Sequence, residues 1–311
     1  MGTLLLASMK DTASLNILQA VLGSSTWKAK VPLPHGEVIR HEKLDVEVLL
    51  IEELHIQSDG IDIIHEKESG MPVEEVLVLS RHVSSTETPA LTLHAIGVPG
   101  ETPHGERGRS GGIKGTVVPP SPRFGALFRE MTRIATQLLL HNEYDLSLEA
   151  THHGPVLTRP TLYLEIGSTE ERWQDSRASQ VWAEAISNCL ALNGGTPLGS
   201  WAGEGDVMVG LGGGHYAPRH RAVISQSDVW VGHILASYAL DFEAPDSADV
   251  LPLGNWRHAI ESSIGSTREA FPGGRLFVHL DRKSFKAWQR NAIQELLAEL
   301  DIAVLRGRQI V

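Results

Sequence analysis

The feature that most constrains this chain is an alternation of two hydrophobic periods. Short, nearly continuous apolar runs rich in β-branched residues recur at Thr3–Ala7, Val46–Ile51, Glu75–Ser80, Leu91–Ala95, Thr161–Ile166, Asp206–Leu211 and Leu276–Leu280. Runs of this length that are apolar throughout are strands covered on both faces. Between them lie stretches with helical spacing. Leu15–Leu22 follows Ser14, an N-cap candidate, and Phe124–His141 places Leu127, Met131, Ile134, Ala135 and Leu138 on one face. Ser179–Leu192 runs into Asn193-Gly194-Gly195, a stop signal, and Ser284–Leu300 opens on a capping Ser. Strands alternating with helices specify an α/β fold, with a mostly parallel or mixed sheet flanked by helices. Sites in such sheets lie beyond the carboxyl ends of the strands.

The 311 residues suit one large α/β domain, here taken as a single catalytic domain over 1–311. A Gly/Pro-rich stretch at about 98–122 reads as one long irregular loop and possible lid, and Phe242–Leu253 as a second loop. No apolar run approaches the ~20 residues of a membrane helix. The N-terminus lacks a basic region before its short apolar stretch, and Leu6 stands where a myristoylation signal needs Ser or Thr. A single cysteine, Cys189, excludes an intrachain disulfide and a Cys-rich zinc site, so a reducing cytoplasmic setting is expected. The net charge of −11 argues against a generally basic nucleic-acid binder. Fifteen histidines point instead toward metal or acid–base chemistry.

Four strand ends carry polar residues suited to that chemistry. Glu149-Ala-Thr-His152-His153-Gly154-Pro155 follows the run Asp145–Leu148, and its Gly-Pro turn lets adjacent histidines converge. The strand at 206–211 runs into Gly212, Gly213 and Gly214, then His215, Tyr216, Arg219 and His220. Three glycines allow close backbone approach and a nest of N–H groups for an anion, and His215 and His220 lie close enough in sequence to share one ion. Glu165 sits inside an apolar strand, where a carboxylate needs a metal, histidine or arginine as partner. The strand Glu75–Ser80 ends in Arg81-His82 and a run of hydroxyls. Any one of these features alone fits an ordinary turn or polar edge. Four together favour one site. Cys189, on an apolar helical face, belongs to the core.

These segments resemble the D-aminoacyl-tRNA deacylases of the archaeal and plant type. The matching text is SRHVSSTETPALTLHAIG (80–97), EATHHGP (149–155), PTLYLEIGSTEERW (160–173), GLGGGHYAPRH (210–220) and GHILASYALD (232–241), with further agreement near both ends. The resemblance implies hydrolysis of the ester between a D-amino acid, or glycine, and the acceptor end of tRNA. It also implies a zinc-dependent enzyme of phosphorylase/hydrolase-like fold, similar to peptidyl-tRNA hydrolase. His and Glu are suitable Zn²⁺ ligands, and bound metal activates water. Candidate catalytic residues are His152, His153, Glu149, His215 and His82. Candidate metal ligands are His153, His215, His220 and Glu165. Gly212, Gly213 and Gly214 are candidates for holding anionic oxygen.

Two segments reverse the acidic average. Residues 105–133 carry Arg107, Arg109, Lys114, Arg123, Arg129 and Arg133 against Glu106 and Glu130, and 281–290 carry Arg282, Lys283, Lys286 and Arg290 against Asp281. The first is the expected tRNA contact, through Lys114, Arg123, Arg129 and Arg133, and the second reads as an ordinary solvated face. The alternatives are a zinc-dependent peptidase or amidohydrolase on a similar fold, and a non-catalytic RNA- or metal-binding protein.

Overall fold

All seven apolar runs form strands in the computed structural model, which describes residues 2–100, 110–245, 247 and 250–311. The strands are β1 (Thr3–Ser8), β2 (Val31–Leu33), β3 (Gly36–Arg40), β4 (Val46–Ile51), β5 (Glu75–Val83), β6 (Ala90–His94), β7 (Gly97–Val98), β8 (Thr116–Val117), β9 (Asp145–Leu146), β10 (Thr161–Ser168), β11 (Asp206–Leu211), β12 (Trp230–Leu235), β13 (Arg275–Leu280) and β14 (Ala303–Leu305). The helices are α1 (Thr12–Gly23), α2 (Ile61–Ser69), α3 (Phe124–Gln137), α4 (Glu170–Trp173), α5 (Ser176–Leu190), α6 (Pro218–Ser225), α7 (Trp256–Ala270), α8 (Ala287–Glu299) and α9 (Gly307–Ile310).

The strands form two main sheets. The larger is mixed, in the order β2-β3-β4-β1-β5-β10-β6-β9, with β4, β1, β5 and β10 mutually parallel and β6 antiparallel to β10. The smaller, β12-β11-β13-β14, is parallel throughout. Alternate residues of the large sheet enter different cores. Leu5, Leu77, Leu79 and Leu164 pack with Phe124 and Met131 of α3 and Trp182 and Ile186 of α5, while Leu4, Leu6, Val76, Val78 and Tyr163 face the opposite layer. The first core also contains Met208, Val231 and Ile234, so it binds the small sheet to the large one. Truncating a fully buried anchor such as Trp182 to Ala costs about 3–5 kcal/mol. No helix among the described residues is long and apolar enough to cross a membrane.

Several helix ends differ from the sequence expectation. Helix α1 begins two residues before Ser14 and is capped by Asp11, whose Oδ1 accepts the N–H of Ser14 at 2.9 Å. Helix α3 stops at Gln137 because Leu139 adopts a left-handed φ of 61°, and Leu140–Asn142 form only a single turn. Helix α5 ends at Leu190, where Ala191 turns left-handed before the glycines. Helix α8 starts at Ala287, not at Ser284, which bonds elsewhere. The stretch 98–122 is not wholly irregular: Gly97–Val98 and Thr116–Val117 pair antiparallel. Its residues 101–109, with Glu106, Arg107 and Arg109, lie outside the described residues.

Candidate active site

Strand pairing places the first two groups. In the parallel β5–β10 ladder Glu165 lies opposite Ser80, and Gly167 opposite His82. Gly167 makes room for the imidazole, because a Cβ there would stand 2.7 Å from the Cβ and the Cδ2 of His82. His82 therefore leans across β10 toward Glu165, with Nδ1 3.3 Å from Oε2. The antiparallel neighbour β6 ends in His94, opposite Tyr163, and its Nε2 lies 3.7 Å from the other Glu165 oxygen.

Two loops complete the cluster. The segment after β9 runs alongside β6 and delivers Glu149, His152 and His153. His153 has a φ of 45°, a conformation that costs a non-glycine residue strain and persists where surroundings enforce it. It turns the adjacent rings toward each other, with centroids 4.4 Å apart. The loop after β11 delivers His215, whose Nε2 lies 2.7 Å from Glu149 Oε2. That loop is pinned to the 149–154 segment, since Ala150 N–H donates to the His215 carbonyl at 2.8 Å. Glu149 Oε1 lies 3.1 Å from His82 Nδ1. His82, His94, Glu149, His152, His153, Glu165 and His215 thus come from five strands, β5, β6, β9, β10 and β11, or the segments that follow them, and meet in one place.

The electrostatics follow from burial and pairing. Burial alone would lower His82, but the Glu149 and Glu165 carboxylates overcome it and hold the imidazole at about 10. Burial is likewise outweighed at Glu165, which His82 and His94 pull down to about 2, and at Glu149, held well below its usual range by His82 and His215. His94 is raised by Glu165 against the effect of burial. His153 is depressed to about 4 and His152 well below its ordinary value, by burial first and by the neighbouring His94 imidazole second.

The residues present fit a metal. The Nδ1 atoms of His94, His152 and His153 face the backbone carbonyls of Ala95, Ala150 and Gly154 at 3.0, 2.9 and 2.6 Å. A carbonyl only accepts, so each Nδ1 carries a proton, and a neutral ring then presents a bare Nε2 lone pair. This anchoring orients metal-binding histidines generally. Among the described residues three trios offer ligand atoms within 4.8 Å of one another: His94, His152 and His153; Glu149, His152 and His215; and His82, Glu149 and Glu165. Both Glu149 oxygens are buried close to imidazole nitrogens, yet neither makes an aligned hydrogen bond, and His94 Nε2 is also without one. The 2.7 Å approach of His215 Nε2 to Glu149 Oε2 without an aligned proton suits a shared cation.

The cluster opens into a cavity of about 1290 Å³, ample for a nucleoside-sized ligand. Its walls include Asp11, His55, Arg81, the hydroxyl-bearing segment Ser84–Thr86, Lys114, Tyr216 and Tyr238. Tyr216 Oη is 2.9 Å from His82 Nε2, and Tyr238 Oη is 3.0 Å from His215 Nδ1. The guanidinium of Arg81 lies over Trp173, whose indole N–H donates to the His82 carbonyl.

Other residues singled out in the sequence lie elsewhere. His220 is carried by helix α6 into the core, where Nδ1 meets His279 Nδ1 at 2.8 Å and Nε2 meets the Gly212 carbonyl at 3.1 Å. It does not share an ion position with His215. The glycine turn is not an open nest: Gly212 N–H donates to the Leu235 carbonyl and Gly213 N–H to Ser284 Oγ. Among the expected RNA contacts, Lys114 is exposed at the cavity. Arg123 is 3 % exposed and ion-paired with buried Glu75, so it is structural. Arg129 is half-buried and donates to the Ser227 carbonyl, and Arg133 is exposed but paired with Glu130 and Glu184.

Sequence reasoning missed His94 and Tyr238, and it named Arg81 and Tyr216 beside the candidate residues without giving them a role. For His94 a signal existed: it interrupts an apolar strand, as Glu165 does.

Comparison with known proteins gives the family. Residues 69–305 match the family model described as D-aminoacyl-tRNA deacylase. A D-aminoacyl-tRNA deacylase from Arabidopsis thaliana is 40 % identical over 312 residues, covering 98 % of this chain and 98 % of the relative. One from Methanosarcina mazei is 33 % identical over 310 residues, covering 98 % and 92 %. A solved crystal structure of a conserved protein of unknown function, AF0625, superposes with a TM-score of 0.78 at 24 % identity, covering 99 % of this chain and 96 % of its own, and shares the fold. With a matched model spanning most of its length and full-length relatives from a plant and an archaeon, this chain belongs to the D-aminoacyl-tRNA deacylase family.

Proposed function

We propose that the chain hydrolyses the ester joining a D-amino acid, or achiral glycine, to the acceptor end of tRNA, returning mischarged tRNA for translation, with Zn²⁺ held in the imidazole–carboxylate cluster. Family membership selects the substrate. The observation that carries the metal is Glu149, a fully buried carboxylate whose oxygens lie beside two imidazoles without an aligned proton. An ion would be held either by His94, His152 and His153 or by Glu149, His152 and His215, since the single free Nε2 of His152 serves one of these positions at a time. Bound Zn²⁺ lowers the pKa of water and polarises an ester carbonyl.

The chain's own groups supply the remainder. Backbone carbonyls fix the three imidazoles, and Tyr238 orients His215. His82, charged between Glu149 and Glu165, holds the Tyr216 hydroxyl at the cavity wall. The cavity encloses the aminoacylated ribose and base, with Lys114 at its wall within reach of the terminal phosphate. We read the two sheets as one catalytic domain, because one of the cores and the candidate site draw on both. The phosphorylase/hydrolase-like assignment accords with the parallel centre of the large sheet and the antiparallel strand beside it. Buried, unpaired Cys189 fits a reducing cytoplasmic setting.

A substrate panel tests this reading against the peptidase alternative. Turnover of D-aminoacyl-tRNA, with peptides and acyl-amino acids untouched, is the expected result. Cleavage of amides with no acceleration of ester hydrolysis on tRNA overturns it.

A further inference from the structure

The small sheet carries a feature that the catalytic cluster does not use. The chain leaves β11 for β12 on one side, then crosses back to β13 on the other, so its winding reverses between β11 and β13. Ligands of open α/β sheets gather beyond the strand ends at such a point. The two turns that meet there are joined directly. Gly213 N–H donates to Ser284 Oγ at 2.7 Å, and Arg219 Nε lies 3.3 Å from Asp281 Oδ1. The end of β14 adjoins them, since Leu305 is in register with His279, and a Cβ on Gly307 would stand 3.9 Å from the His279 ring.

This edge is positive. Arg282, Lys283, Lys286, Arg306 and Arg308 are exposed, and among the described residues none is ion-paired. Cations elsewhere, such as Arg159, Arg177, Arg257 and Arg275, each meet a carboxylate. The local carboxylate, Asp281, is buried and occupied by Arg219 and the N–H of Lys283. Clustered like charges repel, and a polyanion laid across them relieves that repulsion.

The edge also adjoins the reaction centre. One loop, residues 212–217, faces Ser284 through Gly213 and the catalytic cavity through His215 and Tyr216. Arg219 follows Tyr216 by three residues, at most about 10 Å of chain. No large apolar side chain is exposed over 212–219 or 281–308 among the described residues, so the edge has nothing to insert into a lipid surface.

We propose that this edge binds the phosphodiester backbone of the RNA whose aminoacylated end enters the cavity. The proposal rests on the deacylase reading for its substrate and replaces Arg123 with Lys283, Lys286 and Arg306 as the principal phosphate contacts.

The test compares wild type with the Lys283→Gln/Lys286→Gln/Arg306→Gln triple variant. Binding of labelled tRNA is measured across a salt series, beside hydrolysis of D-aminoacyl-tRNA and of D-aminoacyl-adenosine, which has no phosphate. The expected result is binding weakened about tenfold or more, and a salt slope shallower by about 2–3 for three lost phosphate contacts. KM for D-aminoacyl-tRNA rises, kcat holds, and D-aminoacyl-adenosine is hydrolysed at the wild-type rate. A triple variant that binds tRNA with wild-type affinity and slope overturns the proposal, as does a wild type that binds no tRNA. A wild type that binds tRNA through this edge but hydrolyses neither ester overturns the deacylase reading and leaves the edge standing.

Discussion

Replacing Arg123 by Gln separates a structural cation from an RNA contact. Arg123 lies at the start of α3 with its side chain 4 % exposed, and its guanidinium pairs with Glu75, whose side chain is fully buried. Its Nε also donates to the Cys189 carbonyl at 3.2 Å, which ties α3 to the end of α5. Glu75 accepts further bonds from Ser121 Oγ and Thr3 Oγ1. Removing the cation strands a carboxylate in the core, at a cost of about 3–5 kcal/mol. For 311 residues the unfolding entropy is about 0.65 kcal/mol/K, so Tm falls by about 5–8 °C. Calorimetry or thermal circular dichroism reads this shift. Combining Arg123→Met with Glu75→Gln, which keeps an acceptor for Ser121, recovers at least half of the loss. The folded Arg123→Gln protein binds tRNA with the wild-type salt slope. A variant with unchanged Tm and a salt slope lower by about one would refute the reasoning and return Arg123 to the RNA surface.

Other outcomes follow from the same geometry. His153→Ala and His215→Ala each lose bound zinc, measured by elemental analysis, together with deacylation, whereas His220→Ala keeps its zinc. Wild-type metal content and rates in the first two would remove the cluster assignment. Gly167→Ala, whose Cβ meets His82 at 2.7 Å, displaces the imidazole by several tenths of an ångström and lowers kcat by about 10²-fold, with zinc retained. Wild-type kcat in this variant would show that His82 needs no fixed position. Burial holds His220 near 4 and His233 near 3, so between pH 6.5 and 5 the unfolded chain takes up protons that the folded one refuses. Stability is therefore lost as pH falls through that window, by about 2 kcal/mol for each histidine at pH 5. A Tm unchanged from pH 6.5 to 5 would contradict this.

The strands were legible because both faces of each sheet are covered, which writes an unbroken apolar run into the chain. The hairpin β2–β3 was not, since its residues are half exposed and alternate with polar ones. Helix α7 lacks a side-chain cap and buries Ser263, Ser266 and Thr267 among its apolar positions, which hides its period. The site was legible where a polar residue interrupts or ends an apolar strand, as at Glu165, His82 and Glu149. His94 carries the same mark and was passed over because its strand looked like any other. His220 was misplaced because spacing along a chain does not reveal that Pro218 starts a helix, which swings a side chain two residues later into the core. Arg123 failed for a related reason. Its partner, Glu75, lies 48 residues away in another strand, and only tertiary pairing reveals that the charge is buried.

The central claim is that these imidazoles and carboxylates together cleave the ester of D-aminoacyl-tRNA with a bound metal. The most direct measurement follows deacylation of matched D- and L-aminoacyl-tRNA by the purified protein, before and after chelation and again after zinc is restored. The account predicts hydrolysis of the D-ester, loss on chelation, recovery with zinc, and an L-ester left near its spontaneous rate. Equal hydrolysis of both hands, or a D-specific rate indifferent to chelator in protein shown to be metal-free, would contradict it.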